Sequence, residues 1–242
     1  MDLHRRRFLG RSTLLAAAPV IGGGGGGGRE GRQHLVLLGD SIFDNGSYVG
    51  GGPDVIAQLK SHLPRGWDAT LQAVDGATAR DVPAQLARVP QGATHLVLSA
   101  GGNDALMQQH LLDTPVRSSA EALGMLAAAV AEFETTYRRA VAACLQRKLP
   151  LVVCTIYNGN FPDPAYRQRV AFALAGFNDV IIRTAIDHKL RVLDLRLLCR
   201  LPEDYANAIE PSSMGGDKIA RAIVHVVRHT EPTQPGALLL GG

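Results

Sequence analysis

Short runs of apolar residues alternate along this chain with longer segments in which apolar positions recur every three or four residues. Five runs are almost continuously apolar: 34–38 (HLVLL), 69–74 (ATLQAV), 95–100 (HLVLSA), 150–156 (PLVVCTI) and 190–195 (LRVLDL). Such runs are typical of strands that are buried on both faces. Helical spacing marks the segments 53–63, 81–89, 118–148, 164–188 and 215–230. This alternation predicts an α/β fold in which helices cover a five-stranded parallel sheet.

The two ends of the chain differ from this pattern. Arg5-Arg6-x-Phe8-Leu9 resembles a twin-arginine export signal, and an apolar run too short to span a bilayer follows it. Seven consecutive glycines at 22–28 read as a linker. We therefore predict an export leader and linker at 1–31, one domain at 32–231 and a flexible tail at 232–242. The leader favours a periplasmic or extracellular location over a cytoplasmic one.

Composition narrows the function classes. The chain has 25 basic and 22 acidic residues, but residues 1–29 hold five arginines against one aspartate. The remainder is therefore slightly acidic, which argues against nucleic-acid binding. Three cysteines at positions 144, 154 and 199 lack the close spacing of zinc or redox motifs, and Cys144 and Cys154 are predicted to be core thiols.

Small and polar residues follow the first three predicted strands. They are Gly39-Asp40-Ser41, Asp75-Gly76-Ala77 and Gly101-Gly102-Asn103-Asp104. Ligands of open α/β sheets bind beyond the carboxyl ends of the strands, so these residues are expected to meet. Ser41 offers a nucleophilic hydroxyl, while its own N–H, the Gly76 N–H and the Asn103 amide are candidate donors to an oxyanion.

The segments GDSIFDN, VDGAT and SAGGNDAL resemble the first three sequence blocks of the SGNH, or GDSL-type, esterases and lipases. The resemblance spans residues 33–228. It implies a flavodoxin-like three-layer α/β/α sandwich and metal-free hydrolysis of esters or thioesters. By the same resemblance Ser41 is the nucleophile, and Gly76 and Asn103 are oxyanion donors.

The fourth block departs from the family pattern of Asp-x-x-His. The chain reads YANAIEPSSMGG from Tyr205, which places Asn207 at the aspartate position and Glu210 at the histidine position. A glutamate has an ordinary pKa near 4.3 and needs a raised pKa to serve as a base toward serine. Burial is the usual means of raising it.

Three accounts of this exchange stay open from sequence. In the first, Glu210 is the general base and Asn207 orients it. In the second, His110, in the loop after Asn103, reaches the site. In the third, the chain binds an acyl or glycan ligand without turnover.

Cofactors and metals are not predicted. Several aspartates lie near strand ends, but they lack dense ligand spacing, and loop aspartates commonly cap helices. No Walker or G-x-G-x-x-G pattern indicates a nucleotide. Tyr157, Asn158 and Phe161 follow the fourth strand and are candidates for lining an acyl pocket. The predicted partner is a small-molecule ester, with no nucleic acid and no membrane span.

Overall fold

Six parallel strands form one sheet in the order β2-β1-β3-β4-β5-β6. The computed structural model describes residues 32–228 and the backbone of 238–240. The strands are β1 (Gln33–Gly39), β2 (Trp67–Leu71), β3 (His95–Ser99), β4 (Leu151–Cys154), β5 (Arg191–Leu193) and β6 (Leu238–Leu240). The predicted leader and linker lie outside the described residues, and export stays a prediction.

The helices cover both faces of the sheet. They are α1 (Val55–His62), α2 (Val82–Leu86), α3 (Gly102–Leu106), α4 (Ser119–Leu145), α5 (Pro164–Asp187), α6 (Leu195–Leu198) and α7 (Ser213–Arg228). Val36 and Leu38 pack with α2, α4 and α5, whereas Leu35 and Leu37 pack with α1 and α7. Alternate residues of one strand thus enter different layers, as the period of a strand requires. The α/β/α sandwich is confirmed.

The five predicted strands are all present, and the sheet has one more. Leu238–Leu240 pairs in parallel with β5, inside the segment that we predicted to be a flexible tail. Residues 229–237, 241 and 242 lie outside the described residues. A three-residue strand is too short to give a periodic signal, and here pairing with β5 defines it.

Helix α7 begins two residues before its predicted start at Gly215. The Ser212 hydroxyl accepts hydrogen bonds from the backbone N–H groups of Met214 and Gly215, both at 3.2 Å, and so caps this end. The short helices α3 and α6 were not predicted because each is too brief to show a helical period. None of the described helices has the length and apolarity needed to cross a membrane.

Candidate active site

Ser41 lies in a tight turn directly after β1. The carbonyl oxygen of Asp40 accepts hydrogen bonds from the backbone N–H groups of Phe43 and Asp44, both at 3.1 Å, which closes the turn. Gly39 has a φ of +122°, and a Cβ atom built there would lie 1.7 Å from the Ser99 carbonyl oxygen. Only glycine therefore fits where β1 ends. The turn directs a nearly buried Ser41 toward a cavity.

A buried side-chain amide fixes the strand end that precedes Ser41. Gln85 on α2 accepts a hydrogen bond from the Gly39 N–H and donates one to the Gly39 carbonyl oxygen, both at 2.7 Å. A second such pair joins Asn178 on α5 to the backbone of Ile156, at 2.7 and 2.8 Å. These pairs satisfy buried backbone groups where the sheet ladder stops.

Asp40 is a fully buried carboxyl group beside Ser41. Its Oδ1 accepts a hydrogen bond from the Ile42 N–H at 3.1 Å. Burial raises the pKa of Asp40 to about 7, and the nearby negative charges of Asp104 and Glu210 act in the same direction. Near neutral pH, Asp40 is therefore partly protonated, and no pattern in the sequence indicates this property.

Gly76 lies in the exposed loop after β2, with a φ of +78°. The loop is anchored before it, where the Val74 N–H donates to the Gly39 carbonyl oxygen at 3.0 Å. Within the described part of the chain, the Gly76 N–H has no hydrogen-bond acceptor. That donor is available to a ligand, although Gly76 does not itself line the cavity.

Asn103 begins the short helix α3 and lines the same cavity as Ser41. Its side-chain amide donates to the Ala77 carbonyl oxygen at 2.9 Å, which ties α3 to the Gly76 loop. The amide carries two hydrogens, so this bond leaves one for an oxyanion.

Glu210 lies near the end of a braced loop segment between α6 and α7, and it is only 5% exposed. Asn207 supports it locally, because its side-chain oxygen accepts from the N–H groups of Ile209 and Glu210, at 2.9 and 3.0 Å. The Asn45 side-chain amide donates to the Pro211 carbonyl oxygen at 3.0 Å and links this loop to the Ser41 turn. Residues from two distant parts of the chain thereby hold Glu210 near Ser41.

The pKa of Glu210 is raised above its ordinary value. Burial is the largest cause, and the negative charge of Asp75 adds to it. Side-chain hydrogen bonds from Asn207 and from Ser41 favour the carboxylate and partly oppose the rise. The carboxyl group is thus a stronger base than a solvent-exposed glutamate, and it lines the same cavity as the candidate nucleophile.

One cavity has Ser41, Asn103 and Glu210 at its polar end. The rest of its wall is mostly apolar and comes from α3, the 3-10 turn Gln109–Leu112, α4, the loop after β4 and α5: Leu106, Leu111, Leu112, Leu126, Ile156, Val170, Leu174 and Phe177. Tyr157, Asn158 and Phe161 also line it, as expected from sequence. The contributions of α4 and α5 were missed, because core-facing leucines and phenylalanines look alike in a sequence. The geometry can hold an ester carbonyl next to an apolar group.

Comparison with known proteins shows the family of this chain. The model of the GDSL-like lipase/acylhydrolase family matches residues 37–217, which is more than half of the chain. The chain belongs to this GDSL-like family. No curated protein gives a significant match.

Solved structures share the fold of this GDSL-like chain at low identity. An extracellular lipase from Streptomyces rimosus is 20% identical with a TM-score of 0.60, over 82% of this chain and all of the lipase. A phospholipase A1 from Streptomyces albidoflavus is 19% identical with a TM-score of 0.58, over 81% and 99% of the two chains. An acetylxylan esterase from Geobacillus stearothermophilus is 20% identical with a TM-score of 0.58, over 83% and 96%.

The described histidines of this GDSL-like chain do not line the cavity that contains Ser41. His110 is exposed in a 3-10 turn and does not line the cavity, although its neighbours Gln109 and Leu111 do. Nor do the other described histidines line it. These positions give the His110 alternative no support. In the described part of the chain, no group of three His, Cys, Asp or Glu residues is arranged to hold a metal ion.

Proposed function

We propose that this chain is a serine ester hydrolase in which Glu210 replaces histidine as the general base. The observation that carries the proposal is the cavity that Ser41, Asn103 and a buried, more basic Glu210 line together. Family membership supports ester hydrolysis as the reaction class. Retention of these three residues also argues against a lapsed, non-catalytic binding module.

The proposed reaction has two balanced steps. Ser41 Oγ attacks the ester carbonyl carbon, its proton passes to Glu210, and the oxyanion is stabilised by the N–H groups of Ser41 and Gly76 and by the Asn103 amide. The intermediate collapses, and the leaving alkoxide takes the proton from Glu210. Glu210 then removes a proton from water, the hydroxide attacks the acyl-enzyme, and Ser41 leaves and regains a proton.

Active-site labelling tests this proposal. We expect a fluorophosphonate to modify the protein stoichiometrically at the peptide that contains Ser41, as measured by mass spectrometry, because the activated hydroxyl attacks phosphorus. The Ser41→Ala variant is the matched control and should stay unlabelled. If Ser41 is not labelled and p-nitrophenyl acetate is not hydrolysed between pH 5 and 9, the chain is a non-catalytic binding module instead.

The apolar wall of the cavity supports a substrate with an aliphatic acyl group. Each buried methylene contributes about 0.8 kcal/mol, so p-nitrophenyl octanoate should be a better substrate than the acetate. Ala173 lines the cavity from α5. The Ala173→Leu variant should lower kcat/KM for the octanoate by about 10-fold, a typical effect of a changed methylene fit, while leaving the acetate nearly unchanged.

The control for this prediction is Ala175→Leu, on the same helix at an exposed position. It should leave both esters unaffected. Equal effects of Ala173→Leu on the two esters would show that the acyl group does not enter this cavity.

A further inference from the structure

Two side chains tie the Gly76 loop to the segment that follows Ser41. The Tyr48 hydroxyl donates to the Asp75 carboxylate at 2.7 Å, and the Asp44 carboxylate accepts from the Asp75 N–H at 2.9 Å. Asp75 directly precedes Gly76, and these hydrogen bonds hold both the side chain and the backbone of Asp75. On the far side of Gly76, the Asn103 amide holds the Ala77 carbonyl oxygen.

These hydrogen bonds hold the residues on either side of Gly76, whose N–H is the candidate donor to the oxyanion. Gly76 has a left-handed backbone conformation, and a Cβ atom built there would meet nothing within 4 Å. Packing therefore does not fix its peptide plane. A backbone hydrogen bond from the Ala77 N–H to the Val74 carbonyl oxygen, at 3.0 Å, closes the turn around Gly76. The side-chain hydrogen bonds at Asp75 and Ala77 add to it and hold the Gly76 N–H in one direction. Preorganised donors stabilise charge without reorganisation during the reaction.

Asp75 also contributes charge. Its carboxylate raises the pKa of Glu210, and its hydrogen bond with Tyr48 is the largest cause of a rise in the pKa of Tyr48 to about 12. The titratable groups that act electrostatically with Glu210 come from three strand ends: Asp40, Tyr48, Asp75 and Tyr157. Among these, Asp75 alone is an exposed carboxylate, which makes it the group whose removal perturbs the core least.

We propose that Asp75 and Tyr48 are positioning residues of this site, which fix the loop that presents the Gly76 N–H and hold the Asp75 carboxylate in place beside it. The inference rests on the proposed function, since it assigns a purpose to Gly76 and Glu210. The contributions of Tyr48 and Asp75 can be tested separately. Tyr48 supplies only a hydrogen bond, whereas Asp75 supplies a hydrogen bond and a negative charge.

The Asp75→Asn variant tests the charge. Asparagine still accepts from Tyr48 and keeps its backbone N–H for Asp44, so the loop should stay in place. In the plot of kcat/KM against pH, the acid limb should move to lower pH by about half a unit, because a negative charge that acts on Glu210 has been removed. The shift should shrink in 1 M NaCl, where the Debye length is about 3 Å.

The Tyr48→Phe variant tests the bracing. Without the hydroxyl, kcat for p-nitrophenyl acetate should fall by about 10-fold, a fraction of the 10²–10³-fold cost of losing an oxyanion donor. KM should change little, and the acid limb should not move down. Asp68→Asn, on β2 and away from the loop, is the control and should match the native protein in both readouts.

The outcomes distinguish this inference from the proposed function. If the native protein is labelled at Ser41 but Asp75→Asn leaves the acid limb in place, Asp75 does not act on Glu210 and its part of the inference is wrong. If Tyr48→Phe retains full kcat, the bracing part is wrong. Should Asp75→Asn fail to fold, the same limb is measured for Asp75→Ser, with the same expected shift. Absence of labelling and turnover in the native protein would overturn the proposed function itself.

Discussion

The Glu210→Gln variant is expected to lower kcat/KM for p-nitrophenyl acetate by about 10³-fold, within the 10²–10⁴-fold range of a positioned proton-transfer group. Glutamine keeps the shape of the side chain and an acceptor oxygen, but it cannot take the proton of Ser41. The hydroxyl should therefore also react more slowly with a fluorophosphonate. Stopped-flow or steady-state hydrolysis between pH 5 and 9 measures the effect.

Two further variants sharpen this result. The double variant Glu210→His with Asn207→Asp recreates the pair that is typical of the family, and Glu210→His alone recreates only the histidine. Each should recover part of the activity with an acid limb at higher pH, because histidine has an ordinary pKa near 6.5. Glu132→Gln, at an exposed position of α4, is the control. A Glu210→Gln variant within 3-fold of the native rate would mean that another group takes the proton.

Replacement of Asp40 by asparagine is expected to change how the stability of the protein depends on pH. The pKa of Asp40 is about 7 in the folded protein, whereas an aspartate ordinarily has a pKa of 3.8, so the folded state binds the proton more tightly. The free energy of unfolding therefore falls as pH rises through this window and stays low above pH 7. Asp40→Asn removes this contribution, because its side chain is neutral at every pH.

Urea unfolding at pH 4 and pH 8 measures this effect. At pH 8 the Asp40→Asn variant should be more stable than the native protein by up to about 4 kcal/mol, since each pKa unit corresponds to about 1.4 kcal/mol. At pH 4 the two proteins should nearly agree. Asp113→Asn, at an exposed position, should change neither value by more than about 0.5 kcal/mol. Equal differences at both pH values would show that burial does not perturb the ionisation of Asp40.

Sequence patterns were enough to predict five of the six strands and the residues at their ends. Continuous apolar runs identify buried strands, and the rule that ligands bind at carboxyl ends brought Ser41 and Asn103 to the same edge. Glu210 was recognised only because the neighbouring block matched the family around it. The raised pKa of Asp40 was not predictable, since it depends on how completely the packed helices exclude water.

The apolar wall was also beyond sequence reasoning. Leu126 on α4 and Leu174 on α5 have the same helical spacing as residues of the core, and only the packing of the two helices shows that they face a cavity. Gly76 is intermediate: its place in the loop after β2 follows from sequence, but the bracing of that loop by Tyr48 joins residues from two separate loops that no local pattern connects.

The side-chain amides of Gln85 and Asn178 hold the strand ends of the site but do not titrate. Each belongs to a side chain that carries no charge at any pH, and each satisfies both the N–H and the carbonyl oxygen of one residue at a strand end. The groups that titrate are Asp40 and Glu210, and they lie beside the strand ends that these amides hold. Acidification therefore changes the charge of Asp40 and Glu210, whereas the Gln85 and Asn178 amides that hold the strand ends stay neutral.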